Sequence, residues 1–407
     1  MTTDAPRTRI PLGFIVLLGS LAALGPFTID MYLPAFPALQ ESFHTTEGLV
    51  QSTLSAYFIG LAVGQMVLGP VADRFGRRPP LLVGLVVYIL ASLACALAPS
   101  VEALIVARFF QAVGACAGMV ASRAVLRDLY PPRDMARALS LIMLVMGIAP
   151  IVAPMAGTFL QETLGWQAIF ITLVAYGSLV LLATGIRLPE TLGDNRSSLD
   201  LGNIVRRYLS LFAEPDFRAY ALAGSFAQGG LFVYIASSSF VFTTVYDLTP
   251  TQFAVLFGVN AAGLIAASQL NERWLRRSTP QGIVRIVLAV FLVCSGLQVA
   301  AVLTGFGGVV GLAIPLWVTI ACLGFCFPNT TAAAMADVGD RAGVAAAMLG
   351  TVQFGLAGVA SYVAGQLFDG TAAPMTLIIF ACGLLAWVAL LSRHIRPTQP
   401  AKTMPVT

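Results

Sequence analysis

This sequence is poor in charge. Asp, Glu, Lys and Arg make up only 10% of its 407 residues, against roughly a quarter in a soluble domain. Lysine occurs once, at Lys402 near the C-terminus. A Gly-x-x-x-x-Gly-Lys-Ser/Thr phosphate loop therefore cannot be built, which excludes a nucleotide held in that way. The two histidines, His44 and His394, both flank apolar runs. That leaves no Ser-His pair and no His-Glu-x-x-His zinc site inside the apolar part, so neither an enzyme nor a metal site is expected. Six cysteines, Cys95, Cys116, Cys294, Cys322, Cys326 and Cys382, lie within apolar runs. They read as small packing residues, although Cys322 and Cys326 share a helix face.

Apolar residues dominate instead, at 58%, with a mean hydropathy of +0.86. They fall into about twelve runs of roughly 18 to 28 residues, each long enough to cross a hydrocarbon core of about 30 Å as a helix. The runs lie near 11–37, 50–72, 80–98, 103–126, 136–160, 166–186, 219–245, 253–271, 283–304, 309–336, 343–367 and 374–391. The expected fold is an all-α membrane protein. Basic residues gather on alternate connections, as at Arg74, Arg77 and Arg78, so that 22 of the 23 fall on one side. By the positive-inside rule that side, with both termini, is cytoplasmic. The other side carries Glu41, Glu47, Glu102, Glu162, Asp247 and Asp369. The net charge of +4 reflects arginines at a membrane surface and points to no nucleic-acid partner. The first run is too long for a cleaved signal and is expected to serve as its own insertion signal.

The longest polar stretch, Leu188 to Arg218, falls between the sixth and seventh runs. It divides the chain into a bundle over 1–187, a linker over 188–218, and a second bundle with a short tail over 219–407. A repeat supports the division: Asp73-Arg74-Phe75-Gly76-Arg77-Arg78 follows the second run and Glu272-Arg273-Trp274-Leu275-Arg276-Arg277 follows the eighth. Equivalent placement in each half indicates duplication, and paired six-helix repeats are a transporter plan.

Two charges lie where charge is costly. Asp30 closes an uncharged run that begins at Pro11, and Arg108, the remaining basic residue, lies in the fourth run. Ionisable residues inside a membrane face the bundle interior or a wet cavity. Desolvation favours the neutral carboxyl and a nearby guanidinium favours the charged one, so a changing distance between the two would load and unload a proton. A permanent ion pair that orients two helices, or a solvated Asp30, are the plainer alternatives.

The stretch Gly69-Pro70-Val71-Ala72-Asp73-Arg74-Phe75-Gly76-Arg77-Arg78 resembles the loop signature of the major facilitator superfamily. Arg108-Phe109-Phe110-Gln111-Ala112-Val113-Gly114 is similar to the fourth-span signature of its proton-coupled members. Gly147-Ile148-Ala149-Pro150-Ile151-Val152-Ala153-Pro154-Met155-Ala156-Gly157 is similar to the fifth-span antiporter motif, with Ala149 in place of the usual glycine. Asp30-Met31-Tyr32-Leu33-Pro34-Ala35 and the stretch from Ala342 to Gly350 narrow the resemblance to the bicyclomycin and chloramphenicol resistance (Bcr/CflA) branch of the drug:proton antiporters.

This resemblance implies two pseudo-symmetric six-helix bundles in a bacterial inner membrane, working by alternating access as a proton-coupled efflux pump. The expected cargo is neutral or monocationic amphipathic molecules; the coupling ion is the proton, no cofactor is needed, and the chain is expected to act as a monomer. Asp30 would carry the proton, modulated by Arg108. Gly69, Asp73, Arg74, Gly76, Arg77 and Arg78 would latch the halves in the outward-facing state, with Gly69 and Gly76 allowing close approach and a tight turn. Gly147, Pro150, Pro154 and Gly157 would bend the fifth span. Gly60 and Gly64 read as a packing face. Some relatives carry a second acid where this chain has Ala22 and Ala23, so Asp30 is the one clear intramembrane acid. Tyr57, Gln111, Gln228, Tyr234, Asn260, Asn329 and Gln353 are candidates to line the cargo cavity; each alone also suits a helix-helix hydrogen bond. The competing expectation is a major facilitator importer or exporter of one metabolite.

Overall fold

A computed structural model describes residues 11–130, 132–192 and 201–392. Both termini lie outside the described residues, as do Arg196, His394 and Lys402 of the sequence argument. Among the described residues the ordered elements are helices and no strand occurs. In chain order they are α1 (Leu12–Asp30), α2 (Phe36–Phe43), α3 (Glu47–Phe75), α4 (Arg78–Ala96), α5 (Val101–Leu129), α6 (Pro132–Leu164), α7 (Gln167–Arg187), α8 (Leu201–Phe212), α9 (Pro215–Phe240), α10 (Pro250–Leu275), α11 (Pro280–Thr304), α12 (Gly308–Ala334), α13 (Ala342–Gln366) and α14 (Ala373–Leu391). Eleven stretches are long and apolar enough to cross a membrane, with α1 and α2 forming one of them and α9 extending to Val245. The helix α6 supplies the twelfth, since no residue between Arg137 and Glu162 is charged.

Hydroxyl caps mark where several spans begin. Thr46, Ser100 and Thr279 each accept a backbone N–H from the first turn of α3, α5 and α11, and Thr249 with Gln252 forms a reciprocal capping box on α10. Such caps satisfy donors that the helix itself cannot.

Packing repeats with an offset of six spans. In the first half α1 packs on α5 and α6, α3 on α5, and α4 on α5 and α7; in the second, α9 packs on α12 and α13, α10 on α12, and α11 on α12 and α14. The halves meet through α3 against α13 and α6 against α10, contacts that the same pseudo-symmetry exchanges. Small residues set the spacing. A Cβ on Gly60 would strike the Phe109 carbonyl, and one on Gly64 would lie 2.7 Å from Cys116 Cβ, so the expected packing face of α3 is the one on which α5 rests.

The first span is not the single helix expected over 11–37. It breaks after Asp30 and resumes as a 3-10 turn over Leu33–Ala35 before α2. The cause is local: Pro34 has no N–H to offer the Asp30 carbonyl four residues back. Tyr32 N–H turns instead to the Ile29 carbonyl at 3.3 Å and Ala35 N–H to Tyr32 at 3.1 Å. The equivalent end of α9 also departs from α geometry, as a π-helical turn over Val241–Val245. The polar linker holds a helix, α8, that its composition did not announce.

At the arginine-poor ends of the spans the two halves are closed against each other. Phe36 packs on Phe240 at 5.7 Å between ring centres and Phe240 on Phe368 at 6.1 Å. Ser237 donates to Gln51 Oε1 at 3.2 Å, and Gln366 Nε2 to Ser52 Oγ at 3.3 Å.

Candidate functional site

Asp30 lies at the break in the first span and is only 4% exposed. Among the described residues no hydrogen bond or ion pair reaches its carboxylate. The break is clamped from outside: a Cβ on Gly157 of α6 would collide with the Met31 carbonyl. The last glycine of the fifth-span motif is therefore the seat of the backbone that follows Asp30. That motif is helical throughout, with Gly147, Pro150 and Pro154 inside α6. Gly157→Ala is expected to push the break off its seat and lower transport at least about ten-fold, while Gly258→Ala, which has no neighbour within 4 Å, should leave it unchanged; transport at matched expression checks both.

Arg108 on α5 is fully buried and forms no ion pair with Asp30. Its guanidinium is held between aromatic faces, 4.5 Å from the Tyr32 ring centre, 4.3 Å from Tyr57 and 5.9 Å from Phe170. Such stacking stabilises a cation without a counter-ion. Arg108 Nη1 donates to Gln111 Oε1 at 2.6 Å, and Gln111 Nε2 donates to Ser92 Oγ at 2.7 Å. Arg108 Nε and Nη2 have no hydrogen-bond partner among the described residues. The box is braced by Tyr32, whose hydroxyl donates to Thr53 Oγ1 at 2.8 Å while Thr53 donates to the Val50 carbonyl, and by Tyr88, whose hydroxyl donates to Thr28 Oγ1 at 2.7 Å while Thr28 donates to the Leu24 carbonyl. The permanent Asp30–Arg108 pair considered from the sequence is thus absent from this arrangement.

From the second half, Tyr234 on α9 comes within electrostatic reach of Asp30. Its ring stacks on Phe257 at 5.6 Å, and its hydroxyl accepts from Asn260 Nδ2 at 3.0 Å. Of the cavity candidates, then, Tyr57 and Gln111 lie against Arg108, and Tyr234 and Asn260 form a hydrogen-bonded pair in the opposite half. Asn329 is not part of this cluster: it donates to Asn271 Oδ1 at 2.6 Å, four residues from the end of α10. Gln228 and Gln353 are half-buried and no hydrogen bond ties them to it among the described residues. Thr28, Tyr88, Ser92 and Phe170 were not singled out by the sequence, and Tyr32 only as part of a motif, because an aromatic or hydroxyl residue in an apolar run looks like packing until its neighbour is known.

At the arginine-rich end, Asp73 pairs with Arg77 at 2.6 Å and Arg77 Nε with Asp128 at 2.8 Å. Gly76 has a φ of +97°, the turn expected of it. Gly69 differs from expectation, since nothing lies within 4 Å of where its Cβ would be; no close approach occurs there in this arrangement. Two residues outside the motif complete the network. Asp128 is one, and Glu190 is the other, its carboxylate accepting from Arg77 N–H at 2.8 Å and Arg78 N–H at 3.1 Å. Burial disfavours its charge, but these bonds and those from Leu192 and Thr191 outweigh that and hold Glu190 below the usual carboxylate range. Arg78 reaches the Gly185 carbonyl at 2.6 Å. The loop is thereby bolted to the start of the linker. Because Arg77 keeps Asp128, Asp73→Asn should insert and fold; if the loop is a latch, it should transport poorly, and transport equal to the parent at equal expression would remove the latch.

Comparison with known proteins agrees with this architecture. The Major Facilitator Superfamily model matches residues 18–362. An uncharacterised MFS-type transporter of Bacillus subtilis, YdgK, is 35% identical over 94% of this chain and 95% of its own. The bicyclomycin resistance protein homolog of Haemophilus influenzae is 33% identical over 94% and 97%, and multidrug resistance protein D of Escherichia coli 28% identical over 96% and 98%. Among solved structures, a D-xylose-proton symporter superposes with a TM-score of 0.74 at 15% identity, covering 96% of this chain and 99% of the other, which concerns the fold alone. With its duplicated spans, loop signature and relatives taken together, the chain belongs to the major facilitator superfamily, on the branch of the bicyclomycin and chloramphenicol resistance transporters.

Proposed function

We propose that this protein exports small amphipathic molecules across a bacterial inner membrane in exchange for protons. It is a transporter and not an enzyme, and its cargo is a small molecule moved across a lipid bilayer. The proposal adds the direction, the coupling ion, a neutral or monocationic cargo, a monomeric state, and cytoplasmic termini. The observation that carries it is the placement of Asp30: a lone acid at a helix break, only 4% exposed, with no ion partner among the described residues, in the half that holds the caged Arg108 and within electrostatic reach of Tyr234 of the opposite half.

In this reading Asp30 carries the proton while the arginine-poor ends are closed, and its discharge accompanies a rearrangement that brings the free Nε and Nη2 of Arg108 toward the carboxylate. The relatives named for bicyclomycin and multidrug resistance support export over import. An importer of an anion would be expected to line its path with several basic groups, and Arg108 is the basic residue at the centre. Expression in a pump-deficient bacterial strain, with a panel of neutral, cationic and anionic compounds, tests the reading. Raised resistance to neutral or monocationic amphiphiles is expected; uptake of a single metabolite with no change in resistance would overturn it.

A further inference from the structure

The linker helix α8 has an apolar arc that protein covers on one side only. On a helical projection Tyr208, Leu211, Phe212, Val205 and Leu209 fall on one continuous sector, while Arg206, Arg207 and Ser210 occupy the rest. Leu211 and Tyr208 are buried, and the Tyr208 hydroxyl donates to the Met66 carbonyl of α3 at 3.3 Å. The helix also packs on α9 and α13. It thus touches both halves. The neighbouring part of the arc is uncovered: Val205 is 43% exposed and Leu209 65%. Where Tyr208 meets α3, Met66 and Val67 are themselves 40% and 48% exposed on a membrane span, so α8 lies beside a surface that lipid covers.

We infer that α8 lies in the membrane surface, with Val205 and Leu209 in the acyl boundary and Arg206 and Arg207 on anionic headgroups. The inference rests on the cytoplasmic placement of the linker proposed above. An amphipathic helix with basic residues beside its apolar strip suits an anionic leaflet, and both guanidinium groups are exposed. A helix so held, hydrogen-bonded to α3 and packed on α13, makes the distance between the halves sensitive to lipid charge.

Nitroxide labels at Leu209→Cys and, separately, Arg207→Cys in the full chain test this in phosphatidylcholine vesicles with and without phosphatidylglycerol. With phosphatidylglycerol, the label at 209 should respond to oxygen and be shielded from a water-soluble nickel chelate, and the label at 207 should do the reverse. Adding Arg206→Gln to the first variant should reduce the lipid-embedded population about five-fold. Equal nickel access at both positions would overturn the inference. So would shielding from both reagents with spin–spin broadening, which would identify a second copy of the chain as the occupant. Labelling of Arg207→Cys by an impermeant maleimide from outside intact cells would place the linker on the wrong side and overturn the topology as well. None of these readouts depends on transport, so they stand or fall apart from the export reading.

Discussion

Asp30→Asn should abolish uphill export in vesicles bearing a pH gradient, while substrate binding and insertion persist. The amide has the shape of the protonated carboxyl and cannot lose the proton, so the cycle stops at the step where the acid must discharge. Folding should survive, because the carboxylate makes no hydrogen bond or ion pair among the described residues and its removal orphans no partner. With Asp30 as the proposed carrier, one proton should enter per molecule exported. A neutral cargo then leaves with net inward movement of one positive charge, so its export should respond to membrane potential as well as to the pH gradient. A monocation exchanges charge for charge and should respond to the pH gradient alone. Dications should be poor cargo, since one net charge moved against the potential costs about 2.3 kcal/mol per 100 mV. Undiminished uphill transport by Asp30→Asn would show that the proton travels elsewhere.

Arg108→Lys should be nearly as damaging, although it keeps the charge. The cage fits a flat cation: Tyr32 and Tyr57 lie within 4.5 Å of the guanidinium carbon, and its edge reaches Gln111. An ammonium is a compact, strongly hydrated point charge that neither stacks in this way nor presents a planar fork. Loss of about 2 kcal/mol of desolvated stacking corresponds to roughly a thirty-fold fall in transport. Gln111 Oε1 would keep only the long contact from the Cys95 thiol at 4.0 Å, a poor substitute in a buried site. Transport rates of Arg108→Lys and Arg108→Ala, measured at equal expression, check this; parental rates in either would dismiss the cage as packing.

Much of this fold is legible in the sequence because a bilayer imposes a simple rule. An uncharged run of about twenty residues has few alternatives to a helix, and the duplicated loop signatures mark equivalent points in the two halves. Asp30 and Arg108 stand out for the same reason, as charges where charge is costly. The break after Asp30 was also written locally, in Pro34, but a proline in an apolar run does not say whether it kinks, breaks or merely bends a helix. What the sequence could not show is partnership across distance. Gly157 meeting Met31, Glu190 meeting Arg77 and Phe36 meeting Phe240 join residues more than a hundred positions apart, and each looks ordinary alone. The helix α8 was hidden by composition: its arginines and serine read as linker until their spacing is placed on a helix.

The first span of each half loses its regular helix at the same end, yet the breaks are furnished differently. One carries a carboxylate and a proline; the other is a π turn whose five residues, Val241–Val245, include no ionisable group. Duplicated halves start with equal sites, and here the first carries an acid at its break while α9 and α10 of the second present Tyr234 and Asn260. On the proposed reading the two halves divide as a battery terminal and a reading head: energy would enter through the first, and the second would be free to change what it recognises without disturbing the currency. Shifts of cargo among related pumps should accordingly accumulate in α9 and α10 sooner than in α1 and α5.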